Sequence, residues 1–246
     1  MKIGIIGSGN IGATLARKLV AHGDEVKIAN SRGPETIRDL AQELGATAVS
    51  KEQAVKDVEI VILSVPFAKN PDLASVLSGV PTDVVVIDTS NYYPFRDGAI
   101  TEIDNGKPES IWVSERIGRP VIKAWNAMLS ATLSEKGMPQ GTKGRIAIPV
   151  AGDNARAKNT AMRLVEITGF DALDAGDLAN SWRQQPGTPA YCTELTLPDL
   201  QDALSAADKA RAPRDRDALI KGFMEAKAPL SHEQIIARNR EVTARR

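Results

Sequence analysis

Cysteine, histidine and aromatic residues are all scarce in this 246-residue sequence. Cys192 is the single cysteine, so no intramolecular disulfide can form and a disulfide-stapled fold is excluded. His22 and His232 are the only histidines, which leaves fewer Cys and His side chains than a structural zinc site ordinarily takes. No metal is expected. Net charge is missing too: 31 basic residues balance 31 acidic ones, so there is no bulk attraction to nucleic acid or to an anionic membrane. No apolar run reaches the roughly 18–20 residues that would span a bilayer. The first residues, Met1 to Gly7, form a short apolar run broken by glycines, without a signal-peptide core or cleavage site. One thiol and no export signal make a reducing, cytoplasmic setting the expectation.

What is present is an alternation of two kinds of segment. Short runs rich in β-branched residues occupy 3–6, 26–29, 60–65, 84–87 and 121–124. Helical periodicity lies between them. In 11–20, Ile11, Leu15, Leu19 and Val20 share a face while Arg17 and Lys18 point away, and Ile37, Leu40, Ala41 and Leu44 repeat the pattern up to Gly45. Strands separated by helices must pair in parallel, because a parallel neighbour requires a crossover. The unbroken run Ile60-Val61-Ile62-Leu63 fits a strand covered on both faces. The expected fold is therefore α/β, with a doubly wound, Rossmann-type, mostly parallel sheet over residues 1–150. A smaller, mostly helical part is expected over 151–246. There, 146–150 and 170–173 read as strands flanking a helix over 153–168 with its turn and N-cap at Gly152-Asp153. Helices are expected over 197–210, 215–226 and 233–245, separated by Pro213 and Pro229. The last forty residues hold ten basic and six acidic side chains, an excess that solvated helix faces explain.

The hexapeptide Gly7-Ser8-Gly9-Asn10-Ile11-Gly12 falls between the first strand and the first amphipathic helix. In that context each glycine has a job: a tight turn at Gly7, room for a pyrophosphate at Gly9, and close helix–strand packing at Gly12. The helix start adds free N–H groups and a positive dipole end. An NAD site usually carries an acid at the end of the second strand. Here that end reads Asn30-Ser31-Arg32, and a hydroxyl with a guanidinium suits the 2′-phosphate of NADP. Two further strand ends should border the nicotinamide: Val65-Pro66-Phe67, and the segment containing Asn91 and Tyr92.

These segments resemble the deazaflavin-dependent NADP oxidoreductases, which use coenzyme F-420, and the NADPH domain of the six-transmembrane metalloreductases. The likeness extends to Lys123-Ala124-Trp125-Asn126 and to Leu173-Asp174-Ala175-Gly176, covering about residues 1–182. It implies direct hydride transfer between nicotinamide and a flat flavin- or deazaflavin-like ring. It also implies NADP binding by Ser8, Gly9, Asn10, Ile11, Ser31, Arg32, Val65 and Pro66, with Ala124 to Asn126 as the wall beside the nicotinamide. From Trp182 onward the chain departs from that pattern, so the resemblance leaves the acceptor open.

Ring-to-ring hydride transfer needs no general acid, because proximity and orientation supply most of the acceleration. Carbonyl or imine reduction, as in β-hydroxyacid dehydrogenase relatives, would need a proton donor. Asn126, Tyr92 and Lys123 are the catalytic candidates, with Tyr93 and Tyr191 as further donors. A non-catalytic NADPH-binding sensor is the remaining alternative. Phe67, Tyr92, Tyr93, Phe95 and Trp125 fall at strand ends, with Trp182 and Tyr191 beyond, an arrangement that suits a flat small-molecule acceptor. The helical tail is the expected surface of a homodimer.

Overall fold

The computed structural model describes residues 1–226 and 228–244. Strands β1 (Lys2–Ile6), β2 (Glu25–Ala29), β3 (Thr47–Ala48), β4 (Ile60–Leu63), β5 (Val85–Asp88) and β6 (Ile122–Lys123) form one all-parallel sheet. Their order is β3-β2-β1-β4-β5-β6. Helices carry the crossovers: α1 (Asn10–Ala21) after β1, α2 (Arg38–Leu44) after β2 and α3 (Lys51–Ala54) after β3. After β4 come a 3-10 helix, Phe67–Leu73, and α4 (Ala74–Leu77). After β5 come α5 (Pro94–Asp97), α6 (Thr101–Asp104) and α7 (Glu109–Ile117). The order reverses between β1 and β4, which opens a crevice at the carboxyl ends of the strands.

The unalternating strands divide their side chains between two cores. Ile60 and Ile62 of β4 join Ile3 and Ile5 of β1 on one face, under Leu15, Ala16 and Leu19 of α1. Val61 and Leu63 join Ile6 on the other, with Phe67, Leu77, Trp112 and Val113. A strand's period of two thus feeds both layers, and every position along β4 is buried. Strand β3 was not visible as a hydrophobic run: it has two residues, Thr47 and Ala48, paired with Lys27 and Ile28.

Beyond β6, α8 (Ser130–Glu135) leads to β7 (Ala147–Val150), α9 (Ala155–Ile167) and β8 (Asp171–Asp174). β7 and β8 are strands as expected but pair in parallel as a separate two-stranded sheet, and an antiparallel bridge from Lys123 to Ala151 joins this pair to β6. Ile146, Ile148, Val150, Leu164, Val165 and Phe170 lie in the same apolar cluster as Ile3 and Leu15, so core packing runs continuously past residue 150. The N-cap of α9 is Asn154, not the expected Gly152-Asp153, and its side chain accepts from Ala157 N–H at 2.9 Å. Asp153 instead accepts from the Leu178 amide at 2.8 Å, which ties the next turn to this one.

A second 3-10 helix, Leu178–Gln184, precedes α10 (Leu197–Ala206), α11 (Ala212–Met224) and α12 (His232–Thr243). Pro213 opens α11 rather than separating helices, because its missing N–H would have no helical partner in a first turn. The expected end of the last helix at Arg245 lies outside the described residues. Among the described residues, no helix is long and apolar enough to cross a membrane.

Candidate dinucleotide site

A cleft of about 600 Å³ opens at the switch point. Gly7, Ser8 and Gly9 line it from the end of β1, Asn30, Ser31 and Arg32 from β2, and Ser64, Val65 and Pro66 from β4. Its cradle is shaped for a bulky anion. Gly9 caps α1 without any side-chain hydrogen bond, and no acidic residue occupies the first turn, so the leading N–H groups are free of side-chain partners. A Cβ on Gly9 would meet nothing within 4 Å. By contrast, a Cβ on Gly7 would come 1.9 Å from the Ser64 carbonyl oxygen, and one on Gly12 would come 2.0 Å from that of Gly7. Gly7 and Gly12 therefore build the turn, whereas Gly9 leaves open space beside it.

At the end of β2, Asn30 organises the turn itself. Its Nδ2 donates to Thr36 Oγ1 at 2.8 Å, and its Oδ1 accepts from the Arg32 amide at 3.0 Å. Ser31 and Arg32 are left exposed at the cleft. Four further lining residues, Lys51, Lys69, Asp72 and Leu73, escaped sequence reading. Lys51 follows β3, whose two-residue strand gives no hydrophobic run. Lys69 and Leu73 sit on the 3-10 helix after Pro66, where periodicity is too short to read.

Several residues expected at the site lie elsewhere. Phe67 is wholly buried and stacks on Trp112 with ring centroids 5.0 Å apart, so it belongs to the core rather than to a cofactor wall. Ala124 is wholly buried in the other core. Asn10, Ile11 and Gly12 carry the leading N–H groups of α1, so their place at the site is a backbone one: the Ile11 side chain packs against the core and Gly12 is buried. Tyr92 is buried beside Phe67, and its hydroxyl donates toward Gly98 O and Asp104 Oδ1 while accepting from Ile100 N–H. Burial raises its pKa, and its one O–H proton is already shared between these two internal acceptors. Trp125 is buried too, with Nε1–H donating to Thr168 Oγ1 at 3.2 Å. The aromatic clustering in the sequence thus builds cores more than a platform for a flat acceptor.

Lys123 is also withdrawn. Its ammonium is wholly buried, donating to Ser110 Oγ at 3.0 Å and Ser90 O at 3.2 Å, and lies 3.5 Å from Glu109 and 3.8 Å from Asp88. It has no exposed face from which to pass a proton to a ligand. Burial pushes the Glu109 carboxyl from its ordinary 4.5 up to about 7, against the pull of Lys123. The native state therefore holds a proton that the unfolded chain releases over this interval, and stability should fall as pH rises from about 4.5 to about 7. Urea unfolding midpoints measured across this range should show that decline, and Glu109→Gln should flatten it. A decline unchanged in the variant would assign it to another group.

Asn126 is buried in an amide network. Its Nδ2 donates to Asn91 Oδ1 at 3.0 Å and to Gln184 O at 2.8 Å, and its Oδ1 accepts from Gln184 Nε2 at 2.9 Å. Asn91 Nδ2 returns a bond to the Asn126 carbonyl at 2.9 Å. The network fixes the chain after β5 against the chain after β6. The preceding residue, Trp125, sits at a φ of 56°, a left-handed conformation uncommon for a bulky residue.

Nearby, the hydroxyls of Tyr93 and Tyr191 are 2.5 Å apart. Burial raises both pKa values, so the pair stays protonated at neutral pH. Cys192 beside them is buried with its thiol pushed up to about 12, which leaves it no thiolate character. Tyr93 and Phe95 also line a separate groove of about 450 Å³ against Ile220 and Met224 of α11, with Arg216 and Lys221 at its edge.

A doubly wound parallel sheet with a glycine-lined, uncapped helix start at its switch point defines the class: a dinucleotide-binding Rossmann protein. Comparison with known proteins makes the class specific. Residues 2–92 match the family described as NADP oxidoreductase, coenzyme F420-dependent. The chain is 38% identical over 105 residues to protein YjhV of Escherichia coli, covering 43% of this chain and 77% of that one. It is 28% identical over 184 residues to metalloreductase STEAP3 of Rattus norvegicus, covering 73% of this chain but 35% of the metalloreductase. A hypothetical protein from Sinorhizobium meliloti has a crystal structure superposing with a TM-score of 0.70 at 30% identity, over 80% of this chain and 95% of that one. The chain belongs to the coenzyme F420-dependent NADP oxidoreductase family, and it is an oxidoreductase of the nicotinamide-dependent kind.

Proposed function

We propose that the protein binds NADP(H) in preference to NAD(H) and transfers a hydride between it and a flat flavin- or deazaflavin-like acceptor. The observation that carries this reading is the end of β2, where exposed Ser31 and Arg32 line the cleft in place of an acid. An acid there would hold the ribose hydroxyls of NAD and repel a 2′-phosphate; a guanidinium attracts it with charge-assisted hydrogen bonds. Ser8 and Gly9 at the start of α1 would hold the pyrophosphate, and Val65 and Pro66 would form the floor at the end of β4. The Asn91–Asn126 pair would act by position, keeping the loop after β5 at a fixed distance from that floor.

The bound nicotinamide would supply the hydride itself. The chain's part is to hold two rings close and to keep water from between them, which calls for no proton-donating side chain. The buried positions of Tyr92 and Lys123 agree with such a reaction.

A second reading rests on the Tyr93–Tyr191 hydroxyl pair, which could donate the proton that carbonyl or imine reduction requires. A spectrophotometric screen of NADPH oxidation against FMN, FAD, a deazaflavin and short carbonyl and imine compounds separates the two. Turnover with the flavin-like acceptors is expected. Turnover confined to carbonyls or imines, with loss on Tyr191→Phe, would move the assignment to the second reading.

A further inference from the structure

We propose that Lys51 is a second cation for the 2′-phosphate, facing Arg32 across the outer end of the cleft; this inference rests on the NADP reading above. Both residues line the same cleft. Their placement follows from strand register. β2 and β3 are parallel neighbours with Ile28 opposite Ala48, and the Val49 amide still donates to Ile28 O at 3.0 Å. Arg32 follows the end of β2 and Lys51 follows the end of β3, so both stand at the carboxyl-end edge of neighbouring parallel strands. Paired strands run about 4.8 Å apart, and two long basic side chains that start from neighbouring strand ends and line one cleft are suited to share one phosphate group.

The same topology argues against a pyrophosphate role. The glycine loop follows β1, on the far side of β2 from β3, so Lys51 stands on the adenosine side of the cleft. Lys69, the other lysine lining it, follows β4 and lies 3.8 Å from Asp72. Among the described residues Lys51 has no such carboxylate partner, so its ammonium is not already neutralised by an ion pair. Its backbone is fixed by the turn that precedes it. Ser50 and Gln53 form a reciprocal capping box, with the Ser50 hydroxyl accepting from Gln53 N–H and the Gln53 side chain accepting from Ser50 N–H. A half-buried stem on a fixed backbone loses less freedom on meeting a phosphate than a free surface lysine would.

The test is fluorescence titration of the full chain with NADPH, NADH and 2′,5′-ADP, in the wild type and in Lys51→Met and Lys51→Arg, at low and high salt. Methionine keeps the aliphatic stem and helix propensity, so the fold should persist. Lys51→Met is expected to weaken NADPH and 2′,5′-ADP about 5–10-fold, to leave NADH within about 2-fold, and to flatten the salt dependence of NADPH binding. Lys51→Arg should restore most of the loss. Equal weakening of NADPH and NADH, or no change in either, would overturn the role of Lys51 while leaving the NADP reading intact. A wild type that binds NADH as tightly as NADPH would overturn that reading, and with it this one.

Discussion

Arg32→Ala should weaken NADPH binding by about 10–100-fold and leave NADH nearly unchanged. The size follows from the loss of charge-assisted hydrogen bonds to a phosphate, about 1.5–3 kcal/mol. The selectivity follows from position. Arg32 is exposed at the end of β2, two strands from β4 and its Val65-Pro66 floor, so its side chain can reach the adenosine ribose but not the nicotinamide. The turn that carries it should survive the substitution. Asn30 holds that turn through the backbone amide of residue 32, which alanine also provides, and through Thr36. A matched pair of titrations and a pre-steady-state hydride-transfer rate would check the expectation. The transfer rate at saturation should stay the same, because the removed contact is made equally before and during the chemical step. Equal losses for the two cofactors would mean that Arg32 contacts the adenine or pyrophosphate, and the 2′-phosphate assignment would fail.

The parts of this molecule legible in its sequence are those encoded by a repeating period or by backbone chemistry. Ile60 to Leu63 announced a strand buried on both faces, and the two separate cores that take alternate residues are its direct consequence. Gly7 and Gly12 were legible because only glycine tolerates a carbonyl oxygen within 2.0 Å of where a Cβ would sit. Side-chain direction was not legible. Tyr92 and Phe67 stand at strand ends, where a ligand would be expected, yet each turns inward to meet Trp112 or the loop at Gly98 and Ile100. Lys123 looked available as an acid because the sequence does not show that Asp88 and Glu109, 35 and 14 residues earlier, converge on it. Lys51 was missed for the opposite reason. Its strand is too short to leave a pattern, and only its pairing with β2 brings it to the cleft.

The glycine loop yields the other large effect, because two substitutions three residues apart should fail in different ways. Gly9 has a φ of −75° and a ψ of −176°, extended backbone open to any residue, and beyond its own chain neighbours nothing lies within 4 Å of its would-be Cβ. Gly9→Val should therefore fold with an unchanged urea midpoint. Its isopropyl group would fill the space at the start of α1 where a pyrophosphate must approach the N–H groups, and dinucleotide affinity should fall by at least about 100-fold, or about 2.8 kcal/mol. NADPH and NADH should suffer alike, since they share the pyrophosphate. Gly12→Ala should behave in reverse. Its Cβ would come 2.0 Å from Gly7 O and 3.3 Å from Ser64 Cβ, so α1 must move off β1. The strain should cost about 1–3 kcal/mol of folding stability, with the affinity of the remaining folded fraction less affected than in Gly9→Val. Measuring unfolding and binding on both variants separates a loop that only turns the chain from one that also receives a ligand. A Gly9→Val protein that folds and still binds dinucleotide with native affinity would show that the open space beside Gly9 is not where the phosphates lie.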